Sequence, residues 1–303
     1  MNKEELYNQI IKEIENKILF LDDKPEETIE STIYALWFAS TGIYKSAEEV
    51  IKFPLPDLTD LQKEKLLQLI KLRLGDTPLA HITGRQSFMG IELLVDKRAL
   101  IPRKETEILG KNALELSYEI TKSKQSATVI DVCCGSGNLG LAIAYFNPET
   151  IVFETDLSFD AVELAQENIK HLNLEKRVKV EQGDLLSSFE NEEFYNKIEL
   201  IVCNPPYIST SKVTKMPAEI SSNEPVLAFD GGMMGFKIIQ KLISDSPRFL
   251  KNSGWLIFEV GLGQGSFIIQ LMERSNHYTN ITPINDNLGN IRVIKAQKTR
   301  ETQ

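Results

Sequence analysis

Apolar residues recur every four positions near the start of the chain: Leu6, Ile10, Ile14 and Ile18. The intervening residues are mostly charged, so this spacing predicts a helix with one apolar face. A second set predicts another helix: Ile29, Ile33, Leu36 and Trp37. A third helix is expected after Thr59, which fits a capping box with Gln62, and Gly75 is expected to end it.

From about Thr128 onward, short runs rich in β-branched residues alternate with helical patterns. The runs read ATVIDVC, TIVFETD, VKVEQGD, IELIVCN and GWLIFEV. Such alternation predicts an α/β fold with a parallel sheet that is covered on both faces. Because ligands bind at the carboxyl ends of such strands, the residues that follow each strand are the first candidates for chemistry.

Between these two parts, the segment RQSFMGIELLVDKRALIPR contains short β-like runs on either side of Met89 and Gly90. This pattern predicts a hairpin that joins two domains. The predicted organisation is a small N-terminal helical domain over residues 1–84, a β-hairpin linker over 85–107, and a sheet domain over 108–303.

Composition narrows the function classes. The 303 residues are 42% hydrophobic and 25% charged, which is typical of a soluble globular protein. The net charge of −9 provides no general attraction to nucleic acid or to anionic membranes, so nucleic acid is an unlikely substrate. No run is apolar enough to span a bilayer and the start does not resemble a secretory signal, so we expect a cytoplasmic protein without a membrane partner.

The three cysteines are interpreted as reduced thiols. Cys133, Cys134 and Cys203 form no C-x-x-C pair, and two of them are adjacent. The three histidines are scattered along the chain, so no metal site is expected.

A glycine-rich turn follows the first predicted strand of the sheet. Gly135, Gly137 and Gly140 match G-x-G-x-x-G, which permits a tight turn and close approach of a nucleotide-like ligand. Turns of this kind also occur for structural reasons alone. Asp131, four residues before Gly135, would repel a pyrophosphate but could bind an ammonium group. Alternatively, its carboxylate accepts hydrogen bonds from the amides of the loop.

Acidic residues follow the next two strands. Asp156 could accept hydrogen bonds from the two hydroxyls of a ribose, or it could cap the following helix, for which Ser158 is the alternative cap. Asp184 could accept from the exocyclic amine of adenine, or it could serve only to form a turn.

The fourth strand ends in Asn204-Pro205-Pro206-Tyr207. The prolines hold the backbone extended and leave carbonyl groups free, and the Asn204 side chain adds a further acceptor. Together they could hold an incoming NH2 group, while Tyr207 offers a flat face to a planar group. A simple break between strand and loop would not need all four residues.

These motifs resemble those of the class I S-adenosylmethionine-dependent methyltransferases, within which NPPY is typical of enzymes that methylate planar amino groups. The linker and the later segments are similar to the protein-(glutamine-N5) methyltransferases, the HemK/PrmC-like enzymes that modify peptide chain release factors. The residues that carry this resemblance are Thr77 to Gly84, Phe88 to Gly90, Leu100 to Glu107, Asn223 to Pro225, Ala228, Gly231, Gly232, Gly235, Asp286, Gly289 and Arg292.

The resemblance implies a Rossmann-like sheet, S-adenosylmethionine as cofactor and release factors as protein substrate. It implies that Asn204, Pro205 and Tyr207 act in catalysis and that Pro206 joins them in binding the substrate. The implied cofactor-binding residues are Asp131, Val132, Cys133, Cys134, Gly135, Gly137, Asp156, Asp184, Leu185 and Asn204. Residues Pro102 to Glu107 are expected to help close the site. Glu105 and Glu107 are expected to contact the residues that bind the ligands rather than the ligands themselves.

Other functions stay open at this point. A ribosomal-protein glutamine methyltransferase would use the same chemistry, and a nucleic-acid adenine or guanine amino methyltransferase also uses NPPY. A nicotinamide-binding oxidoreductase and a non-catalytic scaffold fit the sequence less well. Four positions depart from the family pattern: His81, Lys104, Cys133 and Cys134.

Overall fold

The fold is described from a computed structural model that covers residues 2–213, 215–216, 218–232 and 234–300. The helices are α1 Lys3–Ile14, α2 Ile29–Ser40, α3 Ala47–Val50, α4 Asp60–Leu74, α5 Leu79–Thr83, α6 Glu107–Lys124, α7 Asn138–Phe146, α8 Phe159–His171, α9 Thr210–Val213, α10 Ala218–Ser221, α11 Lys237–Phe249 and α12 Gly265–Ser275. The strands are β1 Arg85–Phe88, β2 Ile91–Leu94, β3 Ala127–Val132, β4 Thr150–Asp156, β5 Val178–Gln182, β6 Ile198–Cys203, β7 Leu250–Glu259, β8 Tyr278–Asn285 and β9 Ile291–Lys298.

The first helices pack around the fully buried Trp37. The predicted capping box at the start of α4 is confirmed, since Gln62 N donates to Thr59 Oγ1 and Gln62 Oε1 accepts from Thr59 N.

Helix α1 ends at Ile14, one turn earlier than the spacing predicted. Ile18 still packs against the same core from the turn that follows, which explains why its spacing continues that of the helix.

The predicted hairpin forms from β1 and β2, which pair in antiparallel register with Phe88 opposite Ile91. Met89 and Gly90 make the two-residue turn between them, with φ of 50° and 85°. Positive φ at both positions is the geometry of a type I′ turn, whose twist matches that of a hairpin.

The described strands of the main sheet lie in the order β5-β4-β3-β6-β7-β9-β8. All five predicted strands are present and run parallel. The wholly parallel sheet that the sequence suggested is a mixed one, because β9 runs antiparallel to both β7 and β8. The pattern did not reveal β8, since it is an edge strand that exposes most of its residues and contains Pro283.

Helices cover both faces of the sheet. One core lies between the sheet and helices α6 and α7, and the other lies between the sheet and helices α11 and α12. The chain leaves β3 towards β4 and β5 and then returns to β6 on the other side of β3. This reversal creates a crevice at the carboxyl ends of β3 and β6, the usual ligand position in such sheets.

Buried ion pairs join the first helices to the segment that follows β6. In this ion-pair cluster, Arg73 contacts Glu27 at 3.2 Å and Glu219 at 2.9 Å, and Lys24 contacts Glu219 at 2.9 Å. All four side chains are at least nine-tenths buried. A second connection runs through Arg103, outside the cluster. Because each buried charge needs its partners, these contacts fix the helical part against the sheet part.

Lys104, one of the departures from the family pattern, also links the two parts. Its Nζ lies 2.7 Å from Glu48 of α3 and 2.8 Å from Glu107 of α6. Among the residues described here, none of the helices is both long and apolar enough to cross a membrane.

Candidate active site

A cavity opens at the carboxyl ends of β3 to β6, and we call it the first cavity. It holds about 980 Å³ of empty space, counting its mouth, which suits a nucleoside-sized ligand. The strand ends contribute Cys133, Cys134, Gly135, Asp156, Leu157, Gly183, Asp184, Leu185, Asn204 and Pro206. Residues of the linker and of the segment after β6 cover it: Ala99, Leu100, Pro102, Pro225, Leu227 and Ala228.

The glycine turn forms the floor of the first cavity. A side chain at Gly135 would meet only the Ala99 Cβ, at 4.0 Å, so the glycine leaves this space free. Cys133 lies in the left-handed region with φ of 59°, where a residue with a Cβ is strained. The backbone at Cys133 therefore has a conformation that glycine adopts more readily than cysteine does.

Asp131 lies behind the wall of the first cavity. Its side chain is fully buried, Oδ2 accepts from Gly140 N at 2.8 Å, and Oδ1 has no partner among the described residues. Burial raises the pKa of this carboxyl. Val132 is buried in the core and Gly137 is the N-cap residue of α7, so Asp131, Val132 and Gly137 support the wall and do not line it.

Asp156 does line the first cavity. Oδ2 accepts from Gly135 N and Oδ1 accepts from Ser158 N, both at 2.9 Å. Burial raises the pKa of Asp156, and these backbone hydrogen bonds partly lower it again. Ser158, whose side chain accepts from Ala161 N, is the cap of α8. The capping role is therefore filled, and the Asp156 carboxylate has acceptor capacity left for a ligand.

Asp184 and Leu185 stand on the opposite side of the first cavity. The Asp184 carboxylate pairs with Lys241 at 2.6 Å at the surface. Leu185 is buried with φ of 55°, which bends the chain back under the cavity.

A second cavity lies on the other side of Asn204. Asn204, Thr106, Arg103, Leu100 and Ala228 line both cavities. The second cavity adds Asp23 from the turn between α1 and α2, and further residues from the strand ends and the covering segments: Glu105, Pro205, Tyr207, Ile208, Met216, Ile220, Phe229 and Glu259. Asn204 therefore stands where a ligand in one cavity meets a ligand in the other.

The backbone of Asn204 to Tyr207 is braced by two glycines. A Cβ on Gly231 would lie 2.7 Å from the Pro206 carbonyl oxygen, and one on Gly235 would lie 2.3 Å from that of Tyr207. Gln264 Nε2 also donates to the Tyr207 carbonyl at 3.0 Å. Only glycine permits these approaches, which is a physical reason for the glycines in the segment after NPPY.

Polar side chains meet at the bottom of the second cavity. Asn204 Nδ2 donates to Thr106 Oγ1 at 3.1 Å, and the Tyr207 hydroxyl donates to Glu259 Oε1 at 2.9 Å. Arg292 NH2 lies 3.4 Å from Glu259 Oε1 and 2.9 Å from Glu105 Oε1. Burial, aided by Glu259 and Glu105, raises the pKa of Tyr207 far above its usual value, so the phenol stays protonated and able to donate.

Two of these residues were not proposed for the site from the sequence, Glu259 and Arg292, whereas Thr106 belongs to the segment Pro102 to Glu107 that was expected to help close it. Glu259 ends the strand run GWLIFEV, so the rule of inspecting strand ends would have found it. Arg292 lies on β9, and nothing local in the sequence indicates its contacts with Glu105 and Glu259. Glu105 reaches the second cavity, whereas Glu107 binds Met89 N, Lys104 and Lys111 away from both cavities.

Among the described residues, no three His, Cys, Asp or Glu side chains come together in a way that could hold a metal ion.

Residues 113–232 match the family model of the methyltransferase small domain. A release factor glutamine methyltransferase of Thermodesulfovibrio yellowstonii is 36% identical over 245 residues, which are 81% of this chain and 85% of that protein. One of Clostridium botulinum is 37% identical over 78% of this chain and 81% of its own length. This chain belongs to the release factor glutamine methyltransferase family. The expected family resemblance is thereby confirmed.

Solved structures confirm the fold class. The hMettl16 catalytic domain in complex with the MAT2A 3'UTR hairpin 6 aligns with a TM-score of 0.54 at 14% identity, covering 81% of this chain and 84% of that one. The delta-N METTL16 MTase domain aligns with a TM-score of 0.51 at 18% identity, over 69% and 89% of the two chains. At these identities the likeness concerns the methyltransferase fold alone.

Proposed function

We propose that this protein transfers a methyl group from S-adenosylmethionine to the side-chain amide nitrogen of a glutamine in peptide chain release factors. One observation carries the proposal: Asn204 lines both cavities, so it can contact a cofactor in the first and an amide in the second. The family relationship supports the substrate, since the curated relatives carry that name.

The first cavity fits S-adenosylmethionine. Asp156 retains acceptor capacity for ribose hydroxyls, and Asp184 and Leu185 would border the adenine. Cys133, Cys134 and Gly135 would lie along the methionine part. Asp131 holds the first turn of α7 through Gly140 N, and its free Oδ1 would offer an acceptor towards the ammonium group. When bound, the cofactor supplies a methyl group on a positively charged sulfur.

The second cavity would receive the glutamine side chain. An amide nitrogen is a weak nucleophile because its lone pair is delocalised into the carbonyl. Asn204 Oδ1 and the Pro205 carbonyl would accept its two hydrogens, which directs the nitrogen at the first cavity. These contacts strengthen as the nitrogen becomes positive, so they favour the transition state over the bound substrate.

The remaining residues of the second cavity orient the amide and keep out water. Tyr207 would pack against the plane of the amide, and Pro206 would close the side between the cavities. The covering residues Leu100 and Ala228 border both cavities and exclude solvent from the point of transfer. The methylated nitrogen can lose its extra proton after transfer, so the step needs no covalent intermediate.

We further propose that the helical domain over residues 1–84 docks the release factor, with residues 85–107 as linker and 108–303 as the cofactor-binding domain. The ion-pair cluster would hold the docking domain in a fixed position relative to the second cavity.

The test is to incubate the protein with methyl-labelled S-adenosylmethionine and, separately, release factor, ribosomal protein and nucleic acid. Mass spectrometry then locates the label. We expect it on a glutamine side chain of the release factor. Label only on ribosomal protein, or on a base, would replace the proposed substrate by that one.

A further inference from the structure

The helical part contributes directly to the second cavity. Leu21, from the turn between α1 and α2, packs in one apolar cluster with Leu100 and Ile208, which line that cavity. Asp23, two residues further on, lines the cavity itself. The cavity that is proposed to receive the glutamine is therefore formed where the helical part meets the sheet part. The helical part can thus contact the chain that carries this glutamine.

Two partly exposed carboxylates in the second cavity are each anchored by a buried arginine. Asp23 Oδ2 lies 2.8 Å from Arg103 Nε, and Glu105 Oε1 lies 2.9 Å from Arg292 NH2. The two carboxylate side chains are 31% and 39% exposed, whereas the two arginine side chains are only 6% and 5% exposed. Because a carboxylate has about four lone-pair sites, each one is held in place and can still accept from a ligand.

Side-chain donors beside these carboxylates are already bonded within the protein. The other two guanidinium nitrogens of Arg103 donate to Glu224 Oε1 at 2.6 Å and to the Ile101 carbonyl at 3.0 Å. The Asn204 NH2 group and the Tyr207 hydroxyl also donate to protein side chains. These groups therefore offer a ligand little donor capacity, and a ligand that fits has to supply the hydrogens itself.

A buried acceptor at the bottom of the second cavity has the same requirement. The Glu259 side chain is only 2% exposed, and its Oε1 accepts from the Tyr207 hydroxyl. Its Oε2 has no partner in the part of the chain that the structure describes. A polar atom that is buried without a partner destabilises the protein, and a donor from a ligand would offset this. With Asn204 Oδ1 and the Pro205 carbonyl, the second cavity is thus rich in acceptors.

We propose that Asp23 and Glu105 determine the specificity for the methyl acceptor: they accept hydrogen bonds from backbone N–H groups of the release factor beside the glutamine, and they repel nucleic acid. The inference rests on the proposed function for the identity of the protein substrate. Each residue of a peptide chain, proline apart, supplies one N–H donor. Nucleic acid instead carries a negative phosphate at every nucleotide, which two fixed carboxylates disfavour.

The first experiment measures steady-state kinetics of the full chain with release factor at saturating S-adenosylmethionine. Asp23→Asn and Glu105→Gln each keep an oxygen for the anchoring arginine but remove the negative charge. Each should raise the KM for release factor about tenfold, the scale of one weakened charge-assisted hydrogen bond. The kcat and the affinity for S-adenosylmethionine should stay unchanged, because Asn204 and the first cavity are untouched. The exposed neighbour change Asp22→Asn is the matched control, and an unchanged KM in both Asp23→Asn and Glu105→Gln would contradict the assignment.

A backbone change in the release factor tests the proposed N–H donors directly. Replacing a residue beside the glutamine by its α-hydroxy acid exchanges one N–H for an ester oxygen. When each residue within two positions of the glutamine is replaced in turn, at least one ester should raise the KM of the wild-type enzyme about tenfold. That ester should have little further effect on the variant, Asp23→Asn or Glu105→Gln, in which its partner is already lost. Additive effects of every ester with both substitutions would overturn the inference.

Nucleic-acid binding, measured without methylation, separates this inference from the proposed function. Fluorescence anisotropy with a single-stranded oligonucleotide gives the affinity of the ligand-free full chain. The double variant that combines Asp23→Asn with Glu105→Gln should bind about fivefold more tightly than wild type at low salt, and added salt should reduce the difference. Equal affinity of the two proteins, or equal absence of binding, would overturn the exclusion of nucleic acid. The expected difference without methylation of release factor would refute only the substrate.

Discussion

The two cavities are built in different ways, although they share a wall. In the first, carboxylates are held by backbone amides of the nearby turns, as Asp131 is by Gly140 and Asp156 is by Ser158 and Gly135. In the second, side chains that are distant in the sequence hold one another: Thr106 and Asn204 are 98 positions apart, and Tyr207 and Glu259 are 52 positions apart. Local backbone geometry thus forms the first cavity, where the cofactor is proposed to bind. The second cavity, proposed to bind the methyl acceptor, depends on how distant segments pack.

This difference has consequences for mutation. Changes in the first cavity should alter affinity for the cofactor and leave the chemistry of the second intact. Changes in the second should alter turnover or the KM for the methyl acceptor. The segment after β6 that covers both cavities is a third case, because buried ion pairs with the helical part hold it in place.

The largest effect is expected from Arg73→Ala. The substitution leaves Glu27 buried without its cation and leaves Glu219 paired with Lys24 alone, which should lower the free energy of unfolding by about 3–5 kcal/mol. Denaturant unfolding of the intact chain measures it. Lys63→Ala on the same helix removes an exposed pair with Asp60 and should change stability little. Equal effects of the two substitutions would contradict the role assigned to the buried cluster.

Asn204→Ala should break the second cavity alone. Turnover should fall about 100-fold or more, because an acceptor that strengthens in the transition state is lost. Calorimetry should find nearly normal affinity for S-adenosylmethionine. Near-normal turnover would show that Asn204 does not act in the transfer.

Asp156→Ala should affect the first cavity alone. Losing hydrogen bonds to a charged acceptor should weaken S-adenosylmethionine binding by about 1.5–3 kcal/mol, while turnover at saturating cofactor is retained. Titration calorimetry gives the affinity and steady-state kinetics give the turnover. Asp160→Ala, an exposed change on the neighbouring helix, is the control. Unchanged affinity in Asp156→Ala would rule out the ribose contact.

The smallest effect concerns the strain at Cys133. Cys133→Gly should raise the free energy of unfolding by about 1 kcal/mol, since glycine adopts positive φ without the Cβ penalty. The same change at the adjacent Cys134, which is buried and lacks positive φ, should destabilise the protein. Thermal unfolding compares the two variants. Destabilisation by both would mean that packing of the Cys133 thiol outweighs the backbone strain.

Much of this protein follows from sequence pattern alone. The capping box at Thr59, the strand runs and the turn at Met89-Gly90 are short-range signals, because each is satisfied within a few residues. The same holds for the residues at strand ends, where Asp156 and Asn204 line the first cavity as expected. The register of parallel strands brings such positions together whatever the intervening helices are.

Only the tertiary structure decided which polar groups became partners. Asp131 and Gly137 support the wall of the first cavity without lining it. At the second cavity, Thr106 binds Asn204, and Glu259 contacts Tyr207 and Arg292. Periodicity reports which face of an element is buried, because burial depends on the local order of apolar residues. Periodicity does not indicate which buried carboxylate contacts which hydroxyl, since that depends on the packing of segments that are distant in sequence.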